Sequence, residues 1–279
     1  MTNFNSIKDV RLALKRPPIL AIHGSASNGG FWESLSQACA SSRLVFAPDL
    51  SGYSRHDDKR AKLDSTLYMR AEPLIETIRN IPQGVHLVAH SFGASVALEI
   101  VRVIPNKVKS ITFYEPVVPA LLRNSERSRD LELLGDLVAL SDIVRGTGAK
   151  VGMESFINFW GGALAWDRLS ERAREILAGL APVVYQDFIE AYRNLPPKPV
   201  KPISYQGSLK VILGERVNEH AERMAKLLIA EFQQTTTEVL EGMGHMGPMT
   251  HPAIVNFNIL EHIARVEQQG SEVPMLAQA

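Results

Sequence analysis

Ser91 stands in the stretch VHLVAHSFGASVALEI, residues 85–100, where an apolar strand-like run gives way to a helical stripe. A serine at such a junction has two readings. It is either a helix N-cap, accepting from the orphan N–H groups of the first turn, or a nucleophile on a tight turn at the carboxyl end of a strand, where parallel sheets bind their ligands. The pentapeptide alone leaves the two close to even. The turn needs small residues two before and two after the serine, and Ala89 and Gly93 stand there. On the nucleophile reading, the backbone N–H of Phe92, near the start of the following helix, serves a developing oxyanion.

A serine hydroxyl is a weak nucleophile at neutral pH and requires a general base within hydrogen-bond reach. Eight histidines compete for that role. His86 lies within a strand, His90 is expected to face away from the serine, and His56, His220 and His262 sit on polar segments that read as solvated. His245 differs, because TTTEVLEGMGHMGPMTHP places it just past the last strand, on the same sheet edge as Ser91. Its alternative reading is a surface-loop histidine. His251 belongs to the start of the last helix, with Pro252 suited to the first turn. The overlapping GMGHMG fits a dinucleotide-binding pattern, but only one helix remains after it and the required βαβ unit cannot form.

The elements that must position these residues are legible along the chain. Strands are expected at ILAI (19–22), LVFA (44–47), VHLVA (85–89), ITFY (111–114), LKVIL (209–213) and TTTEVL (235–240). Most are continuous apolar runs, as in strands covered on both faces. Helical patterns fall between them, including one with Val96, Ala97, Ile100, Val101 and Ile104 on a single stripe, stopped by Pro105. The alternation implies an α/β fold with a mainly parallel, doubly wound sheet. From Val117 to about Pro202 the rhythm breaks: SERSRDLELLGDLVALSDIV, MESFINFWGG and SERAREILAGLAPVVYQDFIEAYRNL read as helices, and LPPKPVKP marks the return to the sheet. A structureless loop of that length is improbable. The expected organisation is a core of residues 1–116 and 203–279 with an inserted helical lid at 117–202.

Four fragments carry a family resemblance. AHSFG resembles the G-x-S-x-G nucleophile elbow of the α/β-hydrolase family, with alanine in the first glycine slot. His23 and Gly24, in ILAIHGSASNGGFW, look like that family's H-G turn, and GHMGPMTHP is similar to the setting of its catalytic histidine. DLSGYSRHD resembles the family's D-x-x-G-x-G-x-S loop, with Ser54 and Arg55 replacing part of the pattern; it is assigned no chemistry. The resemblance implies Ser91 as nucleophile, His245 as base, and the backbone N–H groups of Ser25 and Phe92 as the oxyanion hole. The residues ahead of Ile19 are too few for the family's leading strands, which are expected to be shortened or absent.

The acid departs from the usual pattern. Most members carry an aspartate in the loop after the strand at 209–213, but this loop reads GERVNEH and its slot holds Val217 or Asn218. Glu215 lies close to the strand's end, and Glu219 begins the next helix, where negative charge is favoured anyway. Some members, including many haloalkane dehalogenases, take their acid from the end of the strand that follows the nucleophile helix. Glu115, in ITFYEPVV, occupies that place, so the resemblance assigns it the role, against a plain pre-proline loop residue. A Ser91–His245 dyad is the fallback.

Composition narrows the partners. The chain's 279 residues, 45% of them hydrophobic, suffice for a full core, and its 30 basic and 30 acidic residues balance. Neither nucleic acid nor an anionic membrane is favoured over a neutral small molecule. There is no apolar stretch of about 18 residues to span a bilayer, nor a signal-peptide core near Met1, so a cytoplasmic protein is expected. The single cysteine, Cys39, reads as a buried helix residue. No HExxH or paired CxxC occurs, and no metal or other cofactor is expected. No pattern specifies an oligomeric state.

The function expected on these grounds is a cofactor-free serine hydrolase acting on a carboxylic ester of a small-to-medium apolar substrate. Thioester, amide or carbon–carbon hydrolysis would use the same parts. A ligand-binding protein on a hydrolase scaffold is the alternative from another class. Of the lid aromatics Phe156, Phe159, Trp160, Trp166, Tyr185, Phe188 and Tyr192, a few are expected to line the pocket, the others being helix core.

Overall fold

The computed structural model describes residues 15–55, 57–125, 127–194 and 203–272. His56 and the proline-rich return LPPKPVKP lie outside them, the latter but for its neighbours at either end. The chain forms β1 (Ile19–Ile22), α1 (Glu33–Cys39), β2 (Val45–Phe46), α2 (Leu67–Arg79), β3 (Val85–His90), α3 (Gly93–Val103) and β4 (Val108–Tyr114) in turn. After the helical stretch that follows come β5 (Ser208–Gly214), α9 (Glu219–Ala230), β6 (Thr235–Leu240), a short α10 (Gly247–Thr250) and α11 (Pro252–Glu272).

All six strands pair in parallel, in the order β2-β1-β3-β4-β5-β6. β1, β3 and the later part of β4 are wholly buried, which explains why they read as unbroken apolar runs. β6 is an edge strand, and its TTTEVL residues are mostly exposed; polar and charged side chains there discourage edge pairing. Leu74, Ile75, Val96, Ala97 and Ile100, from α2 and α3, pack one face of the sheet. Trp32, Leu35, Val255 and Ile259 cover the other, with α1 and α11.

Between β4 and β5 lie α4 (Pro119–Ser125), α5 (Ser128–Gly146), α6 (Ala149–Gly161), α7 (Glu171–Ala178) and α8 (Ala181–Phe188), the last running into a π-helical turn, Ile189–Arg193. They bury a core of their own. Leu133, Leu137, Leu140 and Val144 form the inward stripe of α5 and meet Met153, Phe156, Val184 and Phe188. The run from Ser170 that reads as helical carries a break. It forms two helices, because the chain turns at Gly179–Leu180 and Pro182 sits in the first turn of α8, where its missing N–H is not needed.

His262, expected on a solvated face, is buried. α11 lays it against the sheet, where its ring bonds Thr112 Oγ1 at 2.8 Å and Ser208 Oγ at 2.9 Å. Two hydroxyls on neighbouring strands satisfy a polar ring that helix periodicity alone assigns to water. Among the described residues no helix is long and apolar enough to cross a membrane.

Candidate active site

The chain runs from β1 outward to β2 and returns on the other side of β1 to β3, so the strand order reverses between β1 and β3. Such a switch point opens a crevice at the carboxyl ends of the strands. Ser25 follows β1 and Ser91 follows β3 at this crevice, and both line one pocket. Register brings in the next loop: His90 pairs with Tyr114, so Ser91 and Glu115 leave adjacent strands at the same level.

Ser91 and Glu115 are non-glycine residues with φ of +53° and +41°. That left-handed geometry costs on the order of 1–3 kcal/mol at each and persists only where surroundings enforce it. The Ser91 N–H donates to Tyr114 O, and the Glu115 N–H donates to Ile212 O. The glycines that flank the turn make room. A Cβ at Gly93 would lie 2.6 Å from His23 O, and one at Gly24 only 2.8 Å from Ser91 Cβ.

His245 joins the two strained residues. Its Nε2 lies 3.1 Å from Ser91 Oγ, and its Nδ1 lies 2.8 Å from Glu115 Oε2. The second oxygen of Glu115 accepts the Gly214 N–H at 3.0 Å, which fixes the carboxylate. All three side chains are buried. The aspartate slot is filled by an N-cap: Asn218 Oδ1 accepts the Ala221 N–H at 2.9 Å and its amide donates to Phe159 O. Glu215 bonds the Gly242 N–H and Glu219 pairs with Arg129, both at the surface.

The imidazole is packed on two sides. Trp160 of α6 stacks on it with ring centroids 5.2 Å apart and an interplanar angle of 26°. His90, expected to face away, lies on the other side with centroids 4.6 Å apart, and its Nε2 donates to His245 O at 2.8 Å. Burial holds the His90 ring well below its ordinary pKa, the neighbouring His245 adding to the effect, so it serves as a neutral spacer. His23 is also neutral, pushed down to about 4 by burial. Its Nδ1 donates to Gly24 O and its Nε2 accepts the Leu50 N–H, which pins the turn after β1.

The pocket beside Ser91 is lined by Ser25, Phe92, Val117, Pro119, Phe156 and Trp160, with Asp187, Phe188 and Ala191 completing the wall. It is apolar except at Ser25, Ser91 and Asp187. Of the seven aromatics weighed in the sequence, Phe156, Trp160 and Phe188 reach it, while Trp166 and Tyr185 are packed in the helical core. Asp187 is held up to about 7, chiefly by burial and further by Glu190, against the opposing pull of Arg70 and two hydroxyls. Cys39 is buried in α1, its thiol pushed up to about 11 by burial, and does not face the pocket. Among the described residues no group of three or more His, Cys, Asp or Glu side chains could hold a metal ion.

A family model described as the alpha/beta hydrolase family matches residues 19–256. The chain belongs to the alpha/beta hydrolase family. An uncharacterised protein of Mycobacterium tuberculosis is 32% identical over 98 residues, covering 35% of this chain and 28% of that protein; the match thus spans under a third of that relative's length. Among solved structures, a thermophilic esterase from Thermogutta terrifontis is 18% identical with a TM-score of 0.64, over 90% of both chains. The enol-lactonase from Burkholderia xenovorans is 9% identical with a TM-score of 0.65, over 89% of this chain and 92% of its own. At such identity the likeness is one of fold.

Within this hydrolase family fold, sequence reasoning missed four residues. Tyr53 comes from the DLSGYSRHD loop and with Arg70, Asp187 and Glu190 forms a buried network that meets the pocket wall at Asp187. A basic residue amid the apolar face of α2, and two acids amid the apolar run of α8 and its π turn, were the available signals.

Proposed function

We propose that this alpha/beta hydrolase is a serine hydrolase that cleaves a carboxylic ester, or a closely related acyl bond, of a small-to-medium apolar substrate. The observation that carries the reading is the continuous relay from Ser91 Oγ through His245 to Glu115, at 3.1 and 2.8 Å. In this mechanism Ser91 Oγ adds to the substrate carbonyl carbon while its proton passes to His245 Nε2. Glu115 accepts from Nδ1–H, holding the ring in the productive tautomer and stabilising its cation. The backbone N–H groups of Ser25 and Phe92 receive the oxyanion. Collapse expels the alcohol, which takes the proton from His245. Water, deprotonated by the same imidazole, then releases the acid from the Ser91 ester.

The pocket's Phe156, Trp160 and Phe188 suit an apolar acyl or alcohol group. In this reading residues 117–202 are a cap over a core of 1–116 and 203–279, and it contributes those aromatics. A cytoplasmic setting accords with the one cysteine of the chain, buried as a free thiol.

The test combines a fluorophosphonate probe with a panel of ester, thioester and amide substrates of graded chain length. Stoichiometric labelling of folded protein that vanishes in Ser91→Ala, together with ester turnover lost in the same variant, is the expected result. A folded protein that neither labels nor turns over any ester would overturn the reading.

A further inference from the structure

Behind the pocket lies an ionic cluster that the relay does not use. Asp187 Oδ1 accepts from Arg70 Nη2 at 2.9 Å, and Asp187 Oδ2 accepts from Ser25 Oγ at 2.6 Å and from the Tyr53 hydroxyl. Arg70 also donates to both oxygens of Glu190 at 3.0 Å. Glu190 in turn accepts from Ser65 Oγ at 2.6 Å and Gln186 Nε2 at 2.8 Å. The side chains of Arg70, Asp187 and Glu190 are 0%, 3% and 0% exposed. Two carboxylates around one guanidinium is an expensive arrangement to bury, one that apolar residues could often replace without loss of stability. Its geometry shows what it holds.

Both hydrogen bonds to Asp187 Oδ2 lead to the dipeptide Ser25–Ala26. Ser25 is bonded directly through Oγ. Ala26 is bonded through Tyr53, whose hydroxyl accepts the Ala26 N–H at 3.1 Å while donating to Asp187. Ala26 has φ of +57°, a strained conformation for a residue with a side chain, and such a turn relaxes unless neighbours over-determine it. The Ser25 N–H is one of the two assigned oxyanion donors, and donors of this kind stabilise a transition state only when fixed beforehand on the position the oxyanion will take.

We propose that Asp187 is a positioning residue for the oxyanion-binding loop: from the helical segment between β4 and β5 it fixes Ser25 directly and Ala26 through Tyr53, aiming the Ser25 N–H at the reacting carbonyl. The proposal rests on the serine-hydrolase reading. It makes the donor dependent on helices that also form the pocket, so that a complete oxyanion hole and a closed apolar wall arise together. The π turn contributes by placing Glu190 on Arg70 one short step after Asp187.

The test is steady-state kinetics on a short activated ester with Ser25→Ala, Tyr53→Phe, the double variant and Asp187→Asn, each normalised to the folded fraction. Ser25→Ala and Tyr53→Phe leave the Arg70–Glu190 pair in place and keep the question answerable should Asp187→Asn fold poorly. The expected result is kcat lower by roughly tenfold in each single variant and by roughly 10²-fold in the double, approaching removal of one oxyanion donor, with KM within about twofold. Ser25→Thr, which keeps the hydroxyl, is expected to restore most of kcat. Unchanged kcat per folded molecule with a lowered melting temperature would make the cluster merely structural and overturn the proposal. A raised KM at constant kcat would also overturn it, making Asp187 a substrate-binding group of the wall it lines. Ser91→Ala run in parallel separates these failures from failure of the underlying reading: if that variant keeps full turnover, the hydrolase mechanism itself is wrong.

Discussion

Glu115 and His245 meet at 2.8 Å although 130 residues separate them in sequence. The carboxylate leaves the end of β4, one strand before the loop that follows β5, and its other oxygen accepts the N–H of Gly214, the last residue of β5. In the loop after β5, Asn218 caps α9 and does not face the ring.

Glu115→Gln is therefore expected to lower kcat by about 10²- to 10⁴-fold, as loss of the orienting acid does in the serine-protease template. Asn218→Ala should change kcat less than about threefold while costing about 1 kcal/mol of stability through the lost cap. Turnover of an activated ester and urea unfolding of both variants provide the comparison; equal, small effects on kcat would reject Glu115 as the acid.

Trp160 covers one face of the His245 ring. In the proposed mechanism that ring becomes cationic, and an aromatic face over a cation contributes about 0.5–2 kcal/mol. Trp160→Ala should thus reduce kcat by about twofold to about thirtyfold, and Trp160→Phe should recover much of it. Single-turnover measurement of the acylation step isolates the effect from product release.

Phe188 packs edge-on against Phe156, with centroids 6.0 Å apart, at the apolar wall of the pocket. Phe188→Ala should lengthen the preferred acyl chain, since each added methylene newly buried contributes about 0.8 kcal/mol, or about fourfold in kcat/KM. A series of p-nitrophenyl esters from acetyl to decanoyl reads this as a shift in the optimum; an unchanged optimum would place the acyl group elsewhere.

His23 and His262 are both held down at about 4 by burial, against an ordinary 6.5. The unfolded chain takes up these protons at higher pH than the folded one. Stability is consequently intact above about pH 6.5 and is lost as the pH falls toward about 4, by on the order of 2–3 kcal/mol per ring. Urea midpoints between pH 4.5 and 7.5 should show this slope, and His262→Gln should flatten it.

The strand positions, the burial of β1 and β3 on both faces and the helical run between β4 and β5 are legible because each depends on local periodicity. Ser91 and His245 were legible because each sits where such an element ends. His262 differs for the complementary reason: its helix pattern places it outside, and Thr112 and Ser208, on two strands distant in sequence, make its burial tolerable. Alternation turns His90 away from Ser91, yet as the last residue of β3 it sits where the flanking loops converge, and its ring packs between Phe31 and His245.

Chain chemistry dictated the switch from strand to helix at Ser91, with Gly93 beyond it, and the succession of loops on one sheet edge; these follow from backbone sterics and apolar period, which act over a few residues. Which acid faces the imidazole, which aromatics wall the pocket, and that Arg70 meets Asp187 across 117 residues were settled by packing. Those contacts join elements whose separation in sequence carries no period, and their strength comes from desolvation, which exists only once the helices have closed over the sheet.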